Sequence, residues 1–347
     1  MVRYTIGLIG FGNVGRAFVR ELLNIHEDVK KRYGLELSVL FIADSKGVLY
    51  GKPYIKPSIL SKALSTGRGE ISKLSGGRRG ETALDAIETA MPNVIVEVTP
   101  SNYSGDGEPA FSHIIKAFKV KADVITANKA PLALKYSEII NNAVSNNVKI
   151  FFKACVMAGT PLIDLLRYGL LGRNVTRLTG VLNGTSNYVL GLIENGDSLN
   201  EAVKKAIEMG VAEPNPSADL KGLDLAAKIA ILYSLLVKPL SMKEVEIRDT
   251  ICDGVEDKVL NAVKRSSRLK YVAEFKAGEK PKVKLVEVTP NNPLYSVDNV
   301  ENCVVIEVDD NAKFIVKGPG AGPRQTARAL LSDVLLSAHF KGVISHG

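Results

Sequence analysis

The sequence predicts an α/β protein of two domains, the first built on a parallel sheet covered by helices and the second also mixing strands and helices. Three observations point there. The chain has 347 residues, enough for about two domains with a sizeable core. Its first 150 residues alternate short apolar runs with helix-periodic stretches. After Phe152 that rhythm gives way to helices followed by a group of strands.

In chain order, strands are expected at YTIGLIG (4–10), LSVLFIAD (37–44), VIVEVTP (94–100), ADVITAN (122–128) and VKIFFKA (148–154). Each is a short run rich in apolar and β-branched residues, as in strands buried on both faces. Helices are expected between them at Arg16–Leu23, Ala83–Thr89, Ala110–Lys119 and Ser137–Asn146. Residues 45–80, rich in Gly, Pro and Ser, read as an insertion that is partly loop. Beyond Phe152, GTPLIDLLRYGLL (159–171) looks helical, and VTRLTGVLNGTSNYVLGLI (175–193) looks like a strand turning into a helix. A helix from Gly222 and another over Lys258–Arg268 follow. Then come strands KVKLVEV (282–288), ENCVVIEV (301–308) and KFIVKGPG (313–320), and a last helix in GPRQTARALLSDVLLSAH (322–339).

Composition narrows the class. No apolar run reaches the length of a membrane span, and MVRYTIGLIGFG is too short and too glycine-rich for a signal peptide. Cys155, Cys252 and Cys303 are odd in number and widely spaced, which argues against a disulfide framework and for a reducing cytoplasm. Four scattered histidines (His26, His113, His339, His346) argue against a zinc site. The net charge of +8 is local: residues 45–80 hold eight basic side chains against the single acid Glu70. A solvated loop, a nucleic-acid contact or the docking of an anionic cofactor group would each suit that segment. Only Tyr50 and Tyr54 interleave with the charges, so nucleic acid is not the expected partner.

IGLIGFGNVGRAFVREL supplies Gly10, Gly12 and Gly15 in G-x-G-x-x-G spacing, with Phe11, Asn13 and Val14 completing the turn. The motif follows an apolar strand and opens a helix. The first glycine permits the tight turn, the second lets a pyrophosphate approach the backbone, and the third lets helix and strand pack closely. The phosphates then meet free N–H groups at the helix N-terminus. The first domain, 1–150 plus 318–347, is therefore expected to be a Rossmann-type dinucleotide-binding domain, leaving 151–317 for substrate. Asp44 ends the second strand and is placed to bond the adenosine ribose hydroxyls, which favours NAD. Ser45 and Lys46 follow at once and open the basic segment, which favours the 2′-phosphate of NADP. The two signals conflict, so either cofactor is expected. Thr99-Pro100-Ser101 and Lys129 lie at the carboxyl ends of predicted parallel strands, where ligands of such sheets collect. On spacing alone Lys129 is as readily a surface lysine in a turn.

The second domain poses a different question. In AEPNPSADLKGLDLAAKIAILYSLL (212–236) nearly every side chain after Lys228 is apolar, the pattern of a helix buried all round. Asp224 and Lys228 nevertheless lie one turn apart on one stripe of it. A buried ion pair would explain the two, but Asp219 and Glu213 add two further carboxylates just upstream. A small zwitterionic substrate would supply the missing cation, the carboxylates taking its ammonium group while the lysine addresses an oxygen. The turn Asn183-Gly184-Thr185-Ser186 before a helix suits a substrate carboxylate, although simple N-capping explains it as well.

The run Ala206–Lys228 resembles the signature of homoserine dehydrogenase, with Ala206, Gly210, Asn215-Pro216, Asp219-Leu220, Gly222, Asp224 and Lys228 all in register. TANKAPLA, GVLNGTSNYVL and the terminal GPGAG agree, so the resemblance covers essentially the whole chain. It implies reversible, NAD(P)H-dependent reduction of L-aspartate 4-semialdehyde to L-homoserine, on the way to threonine and methionine, by a homodimer formed through the second domain. By position it implies Lys228 as proton donor and Asp224 as its orienting partner. Glu213 and Asp219, with Gly184 and Thr185, would hold the substrate. Lys129 would be a second active-site lysine, and Gly320 and Gly322 would lie near the nicotinamide. It further implies a sodium ion on the Val156 and Ala158 carbonyls, although Lys153 stands where an acidic side chain is frequent. Val211 replaces an aromatic common two residues before Glu213. Neither an aspartokinase portion nor a trailing regulatory domain is expected. The rivals are another semialdehyde or oxo-acid dehydrogenase, a cofactor-binding sensor that has lost its chemistry, and a nucleic-acid binder using residues 45–80.

Overall fold

The computed structural model describes residues Val2–Ile344; residues 345–347, the end of the expected first domain with His346, lie outside it. Two compact units emerge, one running up to Cys155 and resuming at Gly322, the other spanning Val156–Ala321. Among the described residues no helix is long and apolar enough to cross a membrane.

The first unit carries a seven-stranded sheet in the order β4-β3-β2-β1-β5-β6-β7. Its strands are β1 (Val2–Ile9), β2 (Leu35–Asp44), β3 (Gly47–Tyr50), β4 (Gly77–Arg79), β5 (Val94–Glu97), β6 (Asp123–Thr126) and β7 (Ile150–Phe151). From β2 through β1, β5 and β6 to β7 all pairs are parallel, whereas β3 and β4 are antiparallel additions from the basic segment. The strand order reverses direction at β1, and there the carboxyl ends of β1 and β5 open a crevice, the usual ligand site of such sheets. The helix after β1 runs Asn13–Tyr33, ten residues longer at its end than its apolar periodicity suggests, and stops at left-handed Gly34, whose N–H bonds Lys30 O.

The basic segment is more ordered than its composition implies. Besides β3 and β4 it forms a helix over Pro57–Ala63 and a short 3₁₀ turn at Ile71–Lys73. The Arg16 guanidinium secures it, donating to the carbonyls of Ala63 (3.1 Å), Leu64 (3.0 Å) and Gly67 (3.1 Å). Those bonds tie the C-terminal end of that helix and the following turn to the first helix.

The second unit holds a six-stranded sheet, β13-β12-β8-β10-β11-β9. Its members are β8 (Val175–Val181), β9 (Glu246–Ile247), β10 (Arg268–Lys276), β11 (Lys282–Val288), β12 (Glu301–Val308) and β13 (Lys313–Pro319). All pairs are antiparallel except β11 with β9. The sequence reading missed β10, because a helix was expected to run on to Arg268; that helix ends at Lys264 instead. One face of the sheet carries a small core of Val181, Val272, Val288, Leu294, Val297 and Cys303, and burial pushes the Cys303 thiol up to about 11. The helix Leu223–Leu236 is buried from Asp224 to Ser234, so the all-round apolar pattern does mark an interior helix.

Candidate active site

In the first unit the glycine turn is as tight as its spacing demands. Gly10 has φ +98°, and a Cβ at Gly15 would lie 2.1 Å from the Gly10 carbonyl oxygen, so no larger residue fits there. A Cβ at Gly12 would meet nothing within 4 Å. Among the described residues no protein contact asks for glycine at that position, which leaves the backbone open to close approach by a ligand. Gly12 also caps the helix without any side chain, leaving the first-turn N–H groups of Asn13, Val14 and Gly15 to face an anion. Phe11 is buried under the Arg16 guanidinium, 4.6 Å from its ring centroid.

Asp44 sits where a ribose-binding acid belongs, but both of its oxygens already accept backbone bonds. Oδ1 accepts from Lys46 N at 2.8 Å and Oδ2 from Ile71 N at 3.1 Å. The carboxylate thus pins the start and the 3₁₀ turn of the basic segment to the end of β2. Ser45 and Lys46 are exposed beside it. Arg68 reaches back to Asn13 Oδ1 at 3.2 Å, which brings a guanidinium to the first residue of the helix that follows the glycine turn. Spacing gave no hint of that contact, because 55 residues separate the partners.

At the end of β5, Glu97 is fully buried and organises the following turn. Its Oε1 accepts from both the backbone N–H and the hydroxyl of Thr99. Asn128 donates to the Thr99 and Pro100 carbonyls at 3.1 and 3.2 Å, and Lys129 N donates to Ser101 Oγ at 3.1 Å. Thr99, Pro100, Ser101 and Lys129 therefore form one hydrogen-bonded group, with Asn128 capping the helix Lys129–Asn146 and Lys129, half-buried, as its first residue.

In the second unit the buried lysine finds its carboxylate. Lys228 Nζ lies 2.7 Å from Asp224 Oδ2 and donates to Leu182 O at 2.5 Å. Asn183 caps the helix Gly184–Glu194, its Oδ1 accepting from Ser186 N at 2.8 Å. Its Nδ2 donates to Asp219 Oδ1 at 2.6 Å and to Asp224 Oδ2 at 2.9 Å. One amide thus both caps a helix and bridges two carboxylates. The turn's Asn-Gly-Thr-Ser sequence signalled the cap but not the bridge. Gly222 adopts φ +77°, and a Cβ there would stand 2.3 Å from the Tyr271 hydroxyl. Burial pushes the Tyr271 phenol up, so it stays protonated and donates to Asp249 O at 2.6 Å.

Not every expected residue joins this group. Glu213 is exposed and makes no hydrogen bond among the described residues. The Thr185 hydroxyl is taken by the Val211 carbonyl at 3.1 Å. Gly184 lies against the backbone of Val300. The carbonyls of Val156 and Ala158 accept no hydrogen bond among the described residues, while Ala158 N donates to Gly320 O at 3.2 Å. Gly320 is demanded by its surroundings, a Cβ there falling 1.7 Å from Asn302 Oδ1, and Gly322 (φ +123°) caps the last helix. In the first unit Lys153 is buried, with its ammonium 2.9 Å from Ser332 Oγ and 3.5 Å from Asp333 Oδ1.

The chain provides a tight glycine turn at a helix N-terminus and, separately, an interior lysine–carboxylate pair bridged through Asn183 to a second acid. Comparison with known proteins matches both parts of the chain to one family. A family model described as homoserine dehydrogenase matches residues 161–335, and one described as homoserine dehydrogenase, NAD binding domain, matches residues 10–153. The homoserine dehydrogenase of Sulfurisphaera tokodaii is 37% identical over 331 residues, covering 95% of this chain and 97% of that one. That of Methanocaldococcus jannaschii is 35% identical over 332 residues, covering 94% and 96%. A hyperthermophilic archaeal homoserine dehydrogenase solved in complex with NADPH matches with a TM-score of 0.83 at 30% identity, covering 98% of each chain. The chain belongs to the homoserine dehydrogenase family, NAD(P)-dependent oxidoreductases acting on the CH–OH group of homoserine.

Proposed function

We propose that this chain interconverts L-aspartate 4-semialdehyde and L-homoserine with Lys228 as the proton donor. The observation that carries the proposal is the 2.7 Å pair of Lys228 and Asp224 inside an otherwise apolar helix, with Asn183 tying Asp224 to Asp219. A bound nicotinamide dinucleotide supplies the hydride. Lys228 donates its proton to the aldehyde oxygen, which removes the alkoxide charge that would oppose reduction. Asp224 holds the ammonium in place by a charge-assisted bond, and the Leu182 carbonyl fixes its second N–H direction. Asp219, with Glu213 at the exposed end, takes the substrate ammonium group; Gly184 and Thr185 present the helix N-terminus to its carboxylate. Lys129 is read as a second active-site lysine.

Gly10, Phe11, Gly12, Asn13, Val14 and Gly15 would hold the cofactor's pyrophosphate, and Thr99, Pro100, Ser101, Gly320 and Gly322 would be its further binding residues. Asp44, Ser45 and Lys46 receive the adenosine ribose. Either NAD or NADP is accepted, with the 2′-phosphate favoured: Asp44 is engaged by two amides, while Lys46 and Arg68 bring positive charge to that end. The basic segment is thereby read as serving the cofactor rather than nucleic acid. A sodium ion on the Val156 and Ala158 carbonyls and a homodimer through the second unit complete the proposal. The edge strand β13, with Ile315 54% exposed, is compatible with such pairing. Three free cysteines suit a cytoplasmic setting.

The test is an initial-rate assay of reduced-nicotinamide formation from L-homoserine with NAD or NADP, with Lys228→Ala alongside. Turnover that disappears in the variant supports the assignment. A folded wild-type protein that binds cofactor but turns over no homoserine rejects it, and the ratio between the two cofactors tests the 2′-phosphate reading.

A further inference from the structure

We propose that Lys270 is a positioning residue for this reaction: from β10 it clamps the strap 295–300 behind the turn that carries Asn183 and Gly184. The inference rests on the site reading given above. Lys270 lies mid-strand and is 1% exposed. Its ammonium donates to Val297 O at 2.6 Å and to Asn187 Oδ1 at 3.1 Å. Among the described residues it forms no ion pair. The acids near it, Glu194 and Asp298, are both held by Arg268 at 2.6 Å.

Accepting from Lys270 at Oδ1 fixes the orientation of the Asn187 amide. Asn187 Nδ2 then donates to Val297 O at 3.2 Å and Asn299 O at 2.8 Å. Two more cations take neighbouring carbonyls of the strap, Arg268 that of Tyr295 and Lys317 that of Ser296, each at 2.8 Å. Four carbonyls between Tyr295 and Asn299 are thus gripped from behind. Burial pushes Lys270 down to about 8, with Arg268 and Lys317 adding to the shift and Glu194 and Asp298 opposing it. An apolar side chain would fill the same space without that desolvation cost. What the ammonium contributes is the grip.

The strap leads directly to Val300, whose carbonyl oxygen would lie 3.0 Å from a Cβ at Gly184. Asn187 lies one turn into the helix that Asn183 caps, its N–H bonding Asn183 O at 3.2 Å. Releasing the strap therefore frees both the backing of Gly184 and the first turn of that helix. Asn183 would then lose its aim at Asp219 and Asp224, and displacements of about 1 Å are enough to weaken such a site severely.

The test compares Lys270→Met, Asn187→Ala and the double variant, varying L-homoserine and NADP separately. Each single change is expected to raise the homoserine KM about tenfold and leave the cofactor KM within about twofold, and the double variant should be no worse than the worse single, since both act through one strap. Additive effects, equal changes in both KM values, or an unchanged homoserine KM in folded Lys270→Met overturn the proposal. Hydrogen exchange on the wild-type protein needs no variant: L-homoserine should protect amides 183–187 and 295–301 together. Protection of the first group without the second also overturns it. A wild-type protein that neither turns over homoserine nor gains protection at 183–187 rejects the site reading and Lys270 with it; the other failures reject Lys270 alone.

Discussion

Two lysines of the second unit are buried to a similar degree, Lys228 at 7% and Lys270 at 1% exposure, yet their surroundings differ in kind. Lys228 has a carboxylate at 2.7 Å, itself bridged by Asn183 to a second. Lys270 has only carbonyl and amide oxygens, its neighbouring acids being held by Arg268. A lysine with its own counter-ion beside an acid-rich turn is equipped to hold and deliver a proton. A lysine held by dipoles alone bears the cost of burial and fixes the chain around it. Burial by itself therefore says little about role; the chemical type of the first partner decides it.

The largest expected effect is on the first of the pair. Lys228→Ala should lower kcat by about 10²–10⁴-fold, the usual range for loss of a general acid–base group, measured by steady-state homoserine oxidation, in which the same group takes up the proton. Asp224→Asn would break the comparison by making Lys228 a lysine held by dipoles, as Lys270 is. The uncompensated charge should cost about 3–5 kcal/mol of stability in denaturant unfolding at neutral pH. A cost near zero would mean that Asp219 already serves as the counter-ion.

Lys270 makes a pH prediction of its own. In the unfolded chain it titrates near 10.5 and in the folded one near 8. Between those values the unfolded state carries a proton that the folded state lacks, so stability rises with pH across the window. Below about pH 8 the burial cost is fully present, and its relief by pH 10.5 amounts to about 3 kcal/mol. Lys270→Met should lose this rising contribution, seen as the difference between wild-type and variant unfolding free energies at pH 7.5 and 10. A constant difference would mean that the ammonium is better solvated than its 1% exposure indicates.

An exposed cation sets the lower end of the scale. Arg68→Ala should raise the NADP KM by only several-fold, about 1 kcal/mol, and leave NAD nearly unchanged, because Arg68 is solvated and screened. An equal loss for both cofactors would place Arg68 on the pyrophosphate instead.

The difference between the two lysines also marks how far the sequence could be read. Lys228 was legible because polar residues interrupt an apolar helix at a spacing that puts them on one stripe. Gly10 and Gly15 were legible for a similar reason, since each spacing corresponds to one steric demand in the turn. Lys270 was not, because a lysine between Leu269 and Tyr271 looks like an ordinary alternation of outward polar and inward apolar residues. Its burial comes from the strap and the helix Gly184–Glu194 that it bonds, and covering segments leave no mark on the strand's own pattern. Asp44 reads as a cofactor ligand, and Arg16 only as the start of a helix. In the fold both also anchor the basic segment, through bonds to residues 27 to 51 positions away. Such long-range tertiary bonds have no local signature.

The partners of the signature helix carry a last consequence. Asp224 and Lys228 sit in its first turns, but Leu182 and Asn183, which aim them, come from more than 40 residues earlier. Gly222, which bends the chain into that helix, is shaped against Tyr271 of β10. Contiguous along the chain, the signature is scattered in its physical causes, so it is not a portable part. Residues 206–236 grafted onto another scaffold would bring Asp224 and Lys228 but not their geometry. The smallest unit that carries that geometry is the signature helix together with the helix Asn183 caps, the sheet and the strap.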